Sequence, residues 1–217
     1  HNRPGLILKT SHATFSIIDR DEITKKIQQI TQPYGKNAPN IYLLHGDFSD
    51  SEMNSLYNHP KVKAMVSFTK GEGFGRPLAE FAMTGKPIIA SNWSGHIDFL
   101  HKDYCVLLPG QLNQVHKSAA DKFILENSKW FTADYAYAAK VLQDVMSNYK
   151  KYCELSRKMP QHMKDNFSLT KMQNLFIEYV DKGLSTMPKQ VSLKLPELKK
   201  KTKTSDLKLP KLKKVEA

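Results

Sequence analysis

The chain has 217 residues, 40% of them hydrophobic, with 33 Lys and Arg against 21 Asp and Glu and a net charge of +12. That length supports one domain with a sizeable core, and no apolar run approaches the ~20 residues of a membrane span. The first residues lack the basic segment and apolar run of a secretory signal, and Cys105 and Cys153 are too few for a disulfide framework and match no metal spacing.

In chain order, short apolar runs alternate with helical patterns. Leu6–Lys9, Ile41–His45, Lys63–Phe68, Pro87–Ala90 and Cys105–Leu108 read as strands. Their near-continuous apolar character fits strands covered on both faces. Between them, Asp21–Thr31, Ser49–Tyr57, Arg76–Thr84 and a short piece near His96–His101 read as helices. Ser49 or Asp50 caps the second helix, and Gly85 suits a left-handed stop after the third. The alternation predicts an α/β fold: a Rossmann-like parallel sheet flanked by helices, with right-handed crossovers. Because Leu6 follows so soon after His1, the chain is expected to start inside a domain that is incomplete at its N-terminus.

From about Ser118 the pattern turns helical. An aromatic and aliphatic stripe over Phe131–Tyr149 predicts a packing helix, and a last helix is expected over Leu169–Lys182, stopping at Gly183. Residues 1–187 are thus expected as one Rossmann-like domain and 188–217 as a disordered tail. That tail holds ten lysines against Glu197, Asp206 and Glu216, with a near-repeat at Leu193–Lys200 and Leu207–Lys214. Plain charge would give it a weak contact with an anionic surface, including a membrane face. Each cysteine is expected as a small buried residue, in a reducing, cytoplasmic compartment.

The richest segment runs from Lys70 to Leu100. Glu72 and Glu80 are separated by seven residues, with Gly73, Phe74 and Gly75 after the first and Pro77 in the first turn of the helix carrying the second. In an open parallel sheet, ligands bind beyond the C-terminal strand ends, where this loop would lie. Glycines let backbone N–H groups approach an anion closely. Glu72 would accept hydrogen bonds from sugar hydroxyls and Glu80 from the vicinal hydroxyls of a ribose. Arg76 would offer charge to a diphosphate leaving group, and Ser94, Gly95 and His96 would close the pocket from the next loop. The structural alternatives are a dipole partner for Glu72, a surface position for Glu80, an ion pair for Arg76 and a solvated loop residue for His96. No histidine shows ligand spacing, so no metal site is expected.

The residues Glu72-Gly73-Phe74-Gly75, Leu78-Ala79-Glu80 and Gly85-Lys86-Pro87-Ile88-Ile89-Ala90-Ser91 resemble the retaining glycosyltransferases of family 4 (group 1), which have the GT-B fold. The resemblance implies the C-terminal donor-binding domain. It implies a nucleotide-diphosphate sugar as substrate, no cofactor and no obligatory metal, and transfer with retention to an acceptor the sequence does not name. It places Glu72 and the Gly73–Gly75 backbone at the donor sugar, Glu80 at the ribose, and Leu44, His45 and Gly46 at the base. Such enzymes have two Rossmann-like domains, so an N-terminal acceptor domain, the first strand and the basic pair facing the diphosphate are missing from the match. The isolated chain is therefore expected to be inactive. A sugar-nucleotide epimerase of similar fold and a non-catalytic binding fragment are the alternatives. A dinucleotide-binding dehydrogenase is disfavoured, because the glycines at 71, 73 and 75 do not follow the G-x-G-x-x-G order.

Overall fold

The computed structural model describes residues 4–12 and 14–188. They cluster into two units, one through Met172 and one from Gln173 onwards. The expected tail and its lysine-rich repeats lie, apart from Pro188, outside the described residues.

In the first unit, β1 (Leu6–Lys9) pairs in parallel with β2 (Ile41–Leu44). A second parallel sheet has the order β3 (Met65–Ser67), β4 (Ile88–Ser91), β5 (Val106–Leu108). All five strands were legible, and the expected class of parallel strands flanked by helices holds. They do not form one continuous sheet, however: among the described residues, β1 and β3 each keep one open edge. The N–H groups of Leu6 and Thr10 bond towards β2, to Asn40 and Leu44. In a parallel ladder the alternate residues, Ile7 and Lys9, therefore face the open side.

The helices between these strands form for local reasons. α1 (Ile17–Thr31) is capped by the Ser16 hydroxyl, which accepts from Asp19 N–H. It starts four residues before the expected Asp21, because that cap lies upstream of its acidic turn. α2 (Asp50–Asn58) carries a full capping box, Ser49 with Glu52. α3 (Arg76–Ala82) follows Gly75, whose left-handed φ of 87° makes the entry turn, and has Pro77 in its first turn. Leu78, Phe81 and Ala82 fall on one helical face, and all three are buried. Gly85 does turn left-handed, at φ 68°, although α3 itself ends at Ala82.

The core lies on both faces of β4, whose four residues are all buried. Ile88 and Ala90 pack with α3, Phe99, Leu100 and Cys105 and with Met159 and Met163 of α6 (Met159–Phe167). Ile89 packs the other way, with Leu108, Phe131 and the buried face of α4 (Tyr135–Ser147). Burying a side chain such as Phe81 contributes about 1.5–3 kcal/mol.

The region after Ser118 departs from expectation. β6 (Gly110–Gln114) and β7 (Lys129–Ala133) form an antiparallel hairpin. The stripe read as one helix over Phe131–Tyr149 is a strand end, then α4, then the start of α5 (Tyr149–Ser156). Asp134 causes the break, because its carboxylate caps α4 at Tyr137 N–H. Phe131, Ala138, Val141 and Val145 are core as expected, while Tyr135 and Tyr137 stay exposed. Cys105 is buried, but Cys153 is only partly so. α7 (Leu169–Thr186), within which the two units divide, passes through Gly183 rather than stopping there.

Candidate functional site

The loops after β3 and β4 leave the C-terminal ends of adjacent parallel strands, and they interlock. The Ser94 hydroxyl accepts from Glu72 N–H at 2.9 Å and donates to Glu72 C=O at 2.6 Å. Gly95 N–H reaches the same carbonyl at 3.0 Å. Nearer the strands, the Ser91 hydroxyl donates to Thr69 C=O at 2.9 Å.

Two special backbone positions make this approach feasible. A Cβ on Gly95 would lie 1.9 Å from Gly73 O, so only glycine fits. Ser94 adopts φ 78°, ψ −167°, a region almost reserved for glycine that costs a serine about 1–3 kcal/mol. His96 lies beneath the loop and is fully buried, which rules out the solvated reading. Its Nε2 is 2.6 Å from Ser91 C=O. A carbonyl only accepts, so Nε2 carries a proton, while Nδ1 has no hydrogen-bond partner among the described residues. His96 thus forms part of the floor: a Cβ on Gly75 would stand 3.1 Å from its Cβ.

Glu72 is half-buried and Gly73 exposed, with nothing within 4 Å of where a Cβ on Gly73 would be. The N–H groups of Gly73, Phe74, Gly75 and Arg76 make no hydrogen bond among the described residues. They are available to an oxygen-rich ligand; the Glu72 N–H is not. Phe74 turns partly inward, its ring 4.9 Å from that of buried Phe99. It anchors the loop more than it lines a pocket.

Glu80 stands on α3 one turn beyond Arg76. Arg76 Nε donates to Glu80 Oε1, and its Nη2 reaches Asp50 Oδ1 at 2.9 Å. The ion-pair reading of Arg76 is therefore realised, and it ties the start of α2 to the start of α3. The hydrogen bond and charge of Glu80, with Asp50, push the guanidinium above its ordinary range. The Arg76 side chain is 72% exposed, where solvent screens such a pair heavily. It can be exchanged for another anion at little cost.

Leu44, His45 and Gly46 lie at the end of β2, and Asp50, at the start of the helix that follows, bonds to Arg76 of α3. His45 turns towards α1: its Nε2 is 2.8 Å from Asp19 Oδ2, and both side chains are nearly buried. His12 N–H reaches the same oxygen at 3.0 Å. Burial would raise the Asp19 carboxyl. The His45 hydrogen bond, the His12 N–H and the charges of both rings outweigh it and hold Asp19 below its usual range.

Two supports went unnoticed in the sequence. Lys70 Nζ reaches Thr132 Oγ1 at 3.2 Å and stands 5.2 Å from the centre of the Trp130 ring, which fixes the start of the loop to β7. Trp93 stacks on Phe131 with the rings 3° from parallel. Neither carries a sequence signal, because both depend on the hairpin. Two shallow concavities lie elsewhere. One is lined by His12, Ser16, Asp19 and Lys26, the other by Pro109, Asn113 and Thr132. Among the described residues, no cluster of three or more His, Cys, Asp or Glu could hold a metal ion. No helix there is long and apolar enough to cross a membrane.

No family model and no curated protein matches the sequence. Solved structures do resemble it. HepE of Anabaena, in complex with UDP-glucose, superposes with a TM-score of 0.55 at 15% identity, over 82% of this chain and 41% of that one. Sucrose-phosphate synthase of Thermosynechococcus elongatus gives 0.57 at 14%, over 84% and 39%. A glycosyltransferase of Rickettsia africae gives 0.51 at 17%, over 84% and 41%. The chain thus spans about two-fifths of the length of these proteins, and what it shares with that part of each is the α/β fold of parallel strands flanked by helices.

Proposed function

We propose that this chain is the donor-binding half of a retaining glycosyltransferase of the family 4 type, which takes a nucleotide-diphosphate sugar and passes its glycosyl group to an acceptor held elsewhere. The observation that carries this reading is the clasped loop after β3. It presents a carboxylate and four unbonded amides together, directly before the helix that bears Glu80. The fold shared with HepE, a protein solved with UDP-glucose, supports the same reading.

In this reading Glu72 and the amides of Gly73–Gly75 meet the sugar. Glu80 accepts from the ribose hydroxyls, and the loop at Leu44–Gly46 flanks the base. Arg76 exchanges its exposed pair with Glu80 for the diphosphate, freeing both Glu80 oxygens for the ribose. Positive charge there favours departure of the diphosphate, so stabilisation of the leaving group is the protein's main contribution. No metal and no cofactor takes part. The acceptor side of the cleft and further charge against the diphosphate belong to protein outside this chain, so the chain alone binds donor but transfers nothing.

Calorimetry with UDP-glucose and UDP tests the reading. Glu80→Ala is expected to weaken both ligands by roughly tenfold, through loss of charge-assisted hydrogen bonds. Equal affinity of the variant and the parent chain would remove the ribose role.

A further inference from the structure

We infer that Ser94 is a positioning residue: its hydroxyl clasps the backbone of Glu72 on both sides of its Cα, at N–H and at C=O, and so fixes how the Glu72 carboxylate and the free amides beyond it are presented to the sugar end of a ligand. The identity of that ligand rests on the function proposed above; the clasp itself does not.

The strain at Ser94 is the starting point. Its φ of 78° is the only positive value among the described non-glycine residues. Glycine would take this backbone freely. What serine brings is the hydroxyl, and both its hydrogen-bonding capacities go to the backbone of a single residue 22 positions earlier in the chain. Gly95 adds a third bond to that residue, at its carbonyl, and can be nothing but glycine, because Gly73 O occupies the space of its Cβ. Ser91, bonded to Thr69 C=O and braced by His96, secures the base of the same loop.

The rest of the loop tip has little to hold it. Gly73 touches nothing on its open side, and the amides of Gly73, Phe74 and Gly75 have no hydrogen-bond partners among the described residues. Phe74 seats the loop on the core by ring contact, but such a contact does not fix the backbone rotation about Glu72. That rotation sets the direction of the carboxylate, and Ser94 and Gly95 fix it. Ser94 thus acts through Glu72 rather than by touching ligand, although its place in the sequence suggested direct donor contact.

The test compares Ser94→Ala, which keeps the strain and loses the hydroxyl, with Ser94→Gly, which loses both. Amide exchange at Glu72 is measured on the whole chain without ligand. We expect it to quicken by roughly tenfold or more in both variants, as the N–H loses its acceptor; unchanged exchange in either overturns the clasp. Calorimetry with UDP-glucose and with UDP then reads the consequence. Both variants should lose UDP-glucose affinity equally, by roughly tenfold, and keep UDP affinity within about twofold. The glycine variant should nonetheless melt above the alanine variant. Affinity that recovers with melting temperature in the glycine variant would mean a merely structural role and overturn the inference. If the parent chain binds neither compound, the donor-binding reading fails and the exchange result alone decides the clasp.

Discussion

β4 and β1 are both four-residue parallel strands, yet β4 is buried along its whole length while β1 leaves Leu6 43% and Ile7 42% exposed. The difference lies in what covers them. β4 has α3 and α6 on one face and α4 on the other. α1, beside β1, buries only Asp19 and Ile23 and leaves Ile17, Ile18 and Ile30 exposed. The loops follow suit. Those after β3 and β4 are bound to each other through backbone and hydroxyls on a packed floor. The loop after β2 is instead held to α1 by one polar cluster, Asp19 with His45 and His12. Precise placement of backbone amides thus coincides with the half of the core that is covered on both faces.

The sharpest way to break this contrast is at the interlock. Gly95→Ala forces a Cβ onto the Gly73 carbonyl, and neither backbone can give way cheaply. The variant is expected to lose about 4 kcal/mol or more, while Gly73→Ala, which meets empty space, stays within about 1 kcal/mol of the parent chain. Urea unfolding of the pair measures both, and equal losses would show that the two loops are not in contact. The next effect compares the strands directly. Ile89→Ala in β4 should cost about 2–5 kcal/mol; Ile7→Ala in β1 should cost less than about 1 kcal/mol. A large loss at Ile7 would mean that the open edge of β1 is covered in solution.

The smallest effect concerns Asp19. Its carboxyl is held below the ordinary range when folded, so it contributes stability above the unfolded pKa, and that contribution is lost as pH falls through the lower folded value. Against Asp19→Asn, the parent chain should therefore keep a constant advantage at about pH 6 and lose it towards about pH 3. An advantage that grows on acidification would reverse the sign and reject the pairing with His45.

Local signals were legible in both halves. Continuous apolar runs named β3, β4 and β5. Glycines at 73, 75 and 85 and Pro77 marked both ends of α3, because turn chemistry is local. The Ser94 clasp, the His45–Asp19 pair and the Lys70 anchor were not legible. Each joins residues 22 to 62 positions apart, and no local pattern encodes such a meeting. The hairpin was missed for a different reason. Gly110–Gln114 is polar and mostly exposed, so it lacks the alternation of a half-buried strand. Its partner runs straight into the aromatic start of α4, and helical and strand spacing blur there. Among the site residues, sequence alone placed Glu72, Gly73, Gly75 and Glu80 around one turn. It did not reveal that Arg76 already occupies Glu80 or that His96 is structural.

The open edges of β1 and β3 bear on how the chain behaves in company. Val66, within β3, Phe68, just after it, and Leu6 and Ile7 in β1 offer apolar side chains beside amides and carbonyls that no described residue claims, with Lys9 the lone charge along β1. Exposed apolar edges of this kind recruit further strands. Solutions of this chain should therefore grow stickier with concentration, and crowding Ile7 and Val66 with lysines should keep them clear.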